Sequence, residues 1–152
     1  MTLFLDTSAL LKRYIDESGT REVIERMAED ERWVASALAE AEAQVALCHL
    51  LDDAQLKTQR RRLRQDWERF LVVPVDGSCL FEAVEIGCQQ HVRTLDAIHL
   101  AAASRLPDAV RFLTFDHRQA AAARAIGLDV DDFTAPTSAT PRPPTASPDG
   151  RP

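Results

Sequence analysis

The sequence predicts an α/β fold built on a parallel sheet with helices on both faces. Short apolar runs alternate with longer helix-forming stretches along most of the chain, the pattern of repeated β–α–β units joined by right-handed crossovers. Two of those runs, Leu3-Phe4-Leu5 and Arg111 to Phe115, end on a carboxylate, Asp6 and Asp116, and lead straight into helix-forming sequence. In open α/β sheets ligands gather outside the carboxyl ends of the strands, so an acid in that position faces whatever binds there.

The elements follow in order. Leu3 to Thr7 reads as the first strand and its end, and Ser8 to Ile15 as the first helix. Val23, Ile24 and Met27 give Glu17 to Asp30 a helical period, with Ser18 and Gly19 to begin it. Arg32 to Ala35, centred on Trp33 and Val34, is a second strand. Ser36 has the chemistry of an N-cap for the alanine- and leucine-rich helix Ala37 to Leu51. Asp52 to Phe70 is a charged helix whose apolar side is Leu56, Leu63, Trp67 and Phe70. Leu71 to Val75 is a third strand, and Pro74 puts it at a sheet edge or a strand end. Asp76 to His91 and Thr94 to Arg105 are helices, and Val110 to Phe115 is the fourth strand. Asp116 to Gly127 is a helix stopped by glycine, and Leu128 to Val130 is a short fifth strand. From Ala135 the chain is proline-rich and has no means to pack a core, so 134–152 reads as a disordered tail.

A chain of 152 residues, 45% apolar and 28% charged, has the composition of one soluble domain. No apolar run reaches the ~18 residues of a membrane span, and no secretory signal pattern opens the chain, so a cytoplasmic protein is expected. Cys48, Cys79 and Cys88 show no C-x-x-C spacing and are expected as reduced, buried thiols. The net charge of −6 argues against non-specific nucleic-acid binding unless the acids are gathered around bound cations, which reverse the local sign.

Asp6, Asp96 and Asp116, with Glu42 or Glu40, are the carboxylates to weigh. Asp6 and Asp116 each suit an N-cap, and Gln119 completes a capping-box pattern for Asp116. Asp96 sits among Leu95, Ala97 and Ile98 in a helix that Thr94 would cap. An unpaired buried carboxylate there costs several kcal/mol unless it finds a cation. Glu40 and Glu42 point to different faces, and helical spacing favours Glu42 for the interior only weakly. Acids brought together from separate elements make an oxygen-only site for a hard cation, Mg²⁺ or Mn²⁺. Such sites hydrolyse phosphodiesters with a water made acidic by the metal. Neither a G-x-S-x-G elbow nor a P-loop offers another chemistry.

The stretches DTSALLKRY, SALAEAEAQVAL, RTLDAIHLAAA and LTFDHRQAAAARAIGLDV, in that order, resemble the PIN-domain family, most closely the VapC-type toxins of bacterial toxin–antitoxin pairs. The resemblance covers residues 1–133, which makes 1–133 the PIN-like nuclease domain. It implies a three-layer sandwich with a parallel sheet of about five strands flanked by helices. It also implies a Mg²⁺- or Mn²⁺-dependent ribonuclease acting on RNA, inhibited by a cognate antitoxin and often a homodimer. By the same resemblance Asp6, Glu42, Asp96 and Asp116 are the catalytic, metal-holding acids, and Thr7, Ser8 and Thr114 are polar neighbours of the site. For Ser8 and Thr114 local capping is an equal account.

Lys57, Arg60, Arg61, Arg62 and Arg64 form one basic cluster, suited either to RNA backbone or to pairing with Asp52, Asp53, Asp66 and Glu68. His99, one turn beyond Asp96, is expected as a hydrogen-bonded packing residue, with the site as the other reading. Arg13 and Tyr14 are candidates for the cleft lining. Two competing functions are a non-cleaving protein-binding module on the same fold and a PIN nuclease in RNA processing outside a toxin–antitoxin pair. A haloacid-dehalogenase-type phosphatase is excluded, because Ser8 stands where that chemistry needs a second Asp.

Overall fold

In the computed structural model, which describes residues 2–30 and 32–133, one parallel sheet runs in the order β3-β2-β1-β4-β5. The strands are β1 (Thr2–Leu5), β2 (Arg32–Ser36), β3 (Leu71–Val73), β4 (Val110–Thr114) and β5 (Asp129–Asp132). The helices are α1 (Thr7–Leu11), α2 (Thr20–Glu29), α3 (Ala37–Leu50), α4 (Asp53–Trp67), α5 (Gly77–Gln90), α6 (Thr94–Ser104) and α7 (His117–Ala125). The proline-rich tail inferred from sequence lies outside the described residues.

β1 is central because its side chains are apolar on both faces. Phe4 packs with Val34, Phe112 and the helices α5, α6 and α7, while Leu3 and Leu5 pack with α1 to α4. A strand covered on both sides carries no polar alternation, which is why LFL reads as a continuous run. Phe4 and Phe112 are fully buried and stack at 5.4 Å between centroids. β3 ends at Val73, one residue before Pro74, and lies at the sheet edge, where a missing N–H breaks no ladder.

The chain builds outward from β1 to β3 and then returns to the other side of β1 for β4. The order of strand addition therefore reverses between β1 and β4, the switch point at whose carboxyl ends parallel α/β sheets gather ligands. Asp6 and Asp116 stand there.

Several local expectations are revised. The first helix stops at Leu11 rather than Ile15, giving way to turns through Tyr14. Gly19, at φ +93°, caps α2 in a left-handed conformation. The Phe115 ring lies where a Cβ would project, so both backbone and space call for glycine. Thr94 is the first residue of α6 and not its cap; Arg93 takes that position, without a side-chain capping bond. A full capping box occurs instead at Asp52 and Gln55 of α4. Gly127, at φ +88°, ends α7, with its own amide and that of Leu128 closing on the carbonyls of Arg124 and Ala123. Only Cys79 is buried; Cys48 and Cys88 lie on exposed helix faces, contrary to the expectation for all three.

Arg13 and Tyr14 serve this framework rather than the cleft. Arg13 donates to Asp66 through Nε at 2.7 Å and a terminal nitrogen at 3.1 Å, and the Tyr14 hydroxyl donates at 3.1 Å. This ties the turn after α1 to the end of α4. Burial pushes the Asp66 carboxyl up, but the hydrogen bond and charge of Arg13, with Tyr14, outweigh it and hold it below the usual carboxylate range. A depressed carboxyl stabilises the fold above the unfolded pKa of about 3.9, and that contribution is lost as pH falls through the lower folded value. Asp66→Ala is therefore expected to cost about 2–3 kcal/mol at neutral pH, somewhat under the cost for a fully buried pair. Urea titrations should show the gap from wild type narrowing below pH ~4. A gap that stays constant into acid would contradict this account.

Candidate active site

The carboxyl end of β1 delivers Asp6. Its amide continues the ladder to the Leu113 carbonyl at 3.2 Å, and its Oδ1 caps α1 by accepting from the Ala9 amide at 2.8 Å. The residue is only 3% exposed. The Ser8 hydroxyl lies 2.8 and 2.9 Å from its two oxygens, and the Thr114 hydroxyl lies 2.8 Å from Oδ2. Burial pushes this carboxyl above its ordinary range; the Ala9 amide, the His99 charge and the two hydroxyls recover only part of the cost.

β4 delivers Asp116 in the same way. Its Oδ1 caps α7, accepting from the amides of Arg118 at 2.8 Å and Gln119 at 3.1 Å. Its own amide donates to the Thr114 hydroxyl at 3.0 Å, so Thr114 touches both strand-end acids. The Gln119 side chain does not return to the cap as the capping-box pattern suggested. Its Oε1 lies 3.1 Å from Thr114 and its Nε2 donates to the Asp96 carbonyl at 3.3 Å, which fixes the start of α6 against the start of α7.

On the other side, α3 turns Glu42 toward α1 and α6. Glu42 Oε2 accepts from the Thr7 hydroxyl and lies 2.7 Å from His99 Nε2. His99 is 2% exposed, and its Nδ1 lies 3.0 Å from the Ser36 hydroxyl. Nε2 faces Glu42 as a donor, and the Ser36 hydroxyl at Nδ1 can either donate or accept, so the pairing holds whether or not Nδ1 carries a proton. Ser36 sits at the N-cap position of α3 but gives its hydroxyl to His99 rather than to the helix. Burial raises the Glu42 carboxyl, yet the bonds from His99 and Thr7 and the charges of His99 and Arg93 outweigh it, so the group is held below its usual range.

Asp96, in the first turn of α6, has the cation that its apolar neighbours demanded. Arg93 donates to it through Nε at 2.8 Å and a terminal nitrogen at 3.3 Å. The same terminal nitrogen lies 3.6 Å from Asp116 Oδ2. The side chains of Asp96 and Asp116 are 17% and 33% exposed, and that of Arg93 is 76% exposed.

Thr114, Gln119 and Arg93 thus link Asp6, Asp96 and Asp116, while Thr7 and His99 hold Glu42 in a second group; Thr7 follows Asp6 in the chain, and His99 lies one turn beyond Asp96 on α6. As the side chains stand, no three His, Cys, Asp or Glu groups among the described residues form a ready cation cage. Glu40 makes no part of this network. Three members escaped the sequence reading: Ser36 and Gln119 had been given capping roles, and Arg93 had none. Arg93 alone left a signal, its i,i+3 spacing to Asp96.

The basic cluster stands apart on α4. Asp53, Leu56, Lys57, Arg60, Arg61 and Arg64 line a shallow groove. Local pairing is slight: Asp52 caps the helix, Asp66 binds Arg13 and feels the charge of Arg62, and among the described residues no ion pair involves Lys57, Arg61 or Arg64.

The PIN domain family model matches residues 3–125. Ribonuclease VapC46 of Mycobacterium tuberculosis is 34% identical over 132 residues, covering 84% of this chain and 95% of that protein. Ribonuclease VapC47 of the same species is 29% identical over 127 residues, covering 83% and 93%. Among solved structures, FitAcB from Neisseria gonorrhoeae superposes with a TM-score of 0.68 at 20% identity, over 85% of this chain and 96% of that one. Mycobacterium tuberculosis VapC20, described as a Sarcin-Ricin loop cleaving toxin, gives 0.67 at 14% identity, over 84% and 96%. With the acids at the carboxyl ends of a 3-2-1-4-5 parallel sheet and a family match over most of its length, the chain belongs to the PIN-domain family.

Proposed function

We propose that this protein is the toxin of a toxin–antitoxin pair, an endoribonuclease that hydrolyses RNA phosphodiesters with a divalent ion, Mg²⁺ or Mn²⁺. The observation that carries the proposal is the grouping of Asp6, Asp96 and Asp116 through Thr114, Gln119 and Arg93 at the switch point of the sheet, with Glu42 held alongside by Thr7, the residue after Asp6, and by His99 of the Asp96 helix. The names of the related ribonucleases and of the toxin–antitoxin complexes that share the fold support it.

The donor set fits a hard cation. It is made of carboxylate oxygens, and it holds a buried Asp6 with no ion-pair partner among the described residues and a guanidinium already drawn to Asp96 and Asp116. Asp6, Asp96, Asp116 and Glu42 would hold the metal. When bound, it supplies an acidified water for attack on phosphorus and offsets the charge of the departing oxygen. The chain's own work is positioning. Ser8 and Thr114 fix the Asp6 carboxylate. His99 and Thr7 fix that of Glu42, and Ser36 fixes the His99 ring. Gln119 holds the α6 start so that Asp96 stays beside Asp116.

Calorimetric titration with Mn²⁺ or Mg²⁺ tests this against a non-cleaving binding module, which would take up neither at millimolar concentration. An antitoxin partner, a homodimer and a cytoplasmic setting belong to the same proposal; co-purification with the product of the neighbouring gene and light scattering read the first two. Among the described residues no helix is long and apolar enough to cross a membrane.

The α4 cluster is the proposed RNA-backbone contact. Replacing Arg60, Arg61 and Arg64 by glutamine should reduce the slope of log affinity against log salt by about 2, since each phosphate contact on single-stranded RNA contributes roughly 0.7. An unaltered slope would remove the cluster from the RNA site.

A further inference from the structure

Arg93 is the cation that the structure places on the acidic site. It is not a simple i,i+3 surface pair, because it reaches two elements at once. It makes a two-pronged contact with Asp96 on its own helix, and its terminal nitrogen stands 3.6 Å from Asp116 at the start of α7. Its charge is also felt at Glu42 on α3. The backbone of Arg93 is anchored, with its carbonyl accepting from the Ala97 amide at 2.9 Å, while the side chain is 76% exposed. The guanidinium is therefore free to leave without unwinding α6. Like charges at Asp96 and Asp116 would repel without it, and a divalent ion seeking the same oxygens meets an occupied seat.

We propose that Arg93 is the resident counter-ion of the metal-free site and the competitor that a divalent ion must displace from Asp96 and Asp116. The proposal rests on the reading of those acids as metal-holding. It makes metal uptake at Asp96 and Asp116 an exchange of one cation for another, in which the Arg93 guanidinium gives up its carboxylates and moves into solvent. It also accounts for the lack of a ready three-acid cage in the described residues, since two of the acids are turned to Arg93.

The test is calorimetric titration of the full chain, stripped with chelator, with MnCl₂. Arg93→Gln should bind Mn²⁺ about five-fold more tightly than wild type, about 1 kcal/mol at 1.4 kcal/mol per tenfold. Arg93→Lys, which keeps the charge but not the planar fork, should fall between them. Without metal, Arg93→Gln should melt at a lower temperature than wild type, and adding Asp96→Asn should restore much of the loss. Equal or weaker Mn²⁺ binding by Arg93→Gln, with wild type binding normally, overturns the competition and leaves the metal site standing. No uptake by either protein overturns the metal site itself, and the competition with it.

Discussion

Asp6→Asn is expected to lower metal-dependent RNA cleavage at least a hundredfold, about 2.7 kcal/mol of transition-state stabilisation, while the metal-free protein stays folded. The substitution keeps the volume and one carbonyl oxygen for the Ala9 amide, so the cap of α1 survives. What it removes is a negative charge. Because burial raises the Asp6 carboxyl above its unfolded value, the ionised form opposes folding. That penalty grows as pH rises from about 3.9 through the folded value and is complete above it. At neutral pH the Asn variant should therefore melt at or above the wild-type temperature in chelator. Cleavage of a fluorogenic RNA with Mn²⁺, paired with a melt by circular dichroism, reads both halves. Full retained cleavage would refute the assignment of Asp6 to the metal. A large fall in melting temperature would recast Asp6 as a structural cap.

The largest loss of stability is expected from Phe4→Ala. Phe4 is fully buried in the central strand and stacks on Phe112 under α5, α6 and α7. Truncating a buried aromatic ring removes its transfer energy and leaves a cavity that flanking strands cannot close, costing about 3–5 kcal/mol. Against a total of about 5–15 kcal/mol for a domain, that brings the protein near its threshold. With a urea m-value of about 1–3 kcal/mol/M, the unfolding midpoint should drop by more than 1 M. A shift under half that size would mean that the Phe4 site collapses and that packing on this face is looser than the burial suggests.

Both predictions concern the end of β1, Phe4 within the strand and Asp6 just past it, and both residues were legible in the chain. LFLD states at once a strand buried on two faces and an acid at its mouth. The same economy makes β4 and Asp116 readable, and Pro74, read as a sheet edge or a strand end, follows the last residue of the edge strand β3. Glu42 was less legible, because the helical wheel of α3 favours it over Glu40 for the interior only weakly; its contacts with His99 and Thr7 come from α6 and α1.

What the capping residues bind was less legible, although Ser36 does hold the N-cap position of α3. Ser36, Thr94 and Gln119 each suit a local cap, and local capping is what spacing along a chain reveals. In the structure Ser36 serves His99, and Gln119 serves Thr114 and Asp96, because buried partners from distant elements outcompete backbone groups that water can satisfy. Arg13 and Tyr14 were drawn toward the cleft by nearness in sequence to Asp6, but the early end of α1 sends them to Asp66.

By itself the sequence determined the alternation of strands and helices, the burial of the central strand and the chemical character of the site, since these follow from local periodicity and from which side chains are present. The tertiary structure alone decided which acids share a network, which hydroxyls orient them and which arginine sits among them. The pairings that cross between elements include Arg93 with Asp116, Thr7 with Glu42, 35 positions apart, and Thr114 with Asp6, 108 apart. They are set by strand order and helix packing, which no short-range pattern encodes.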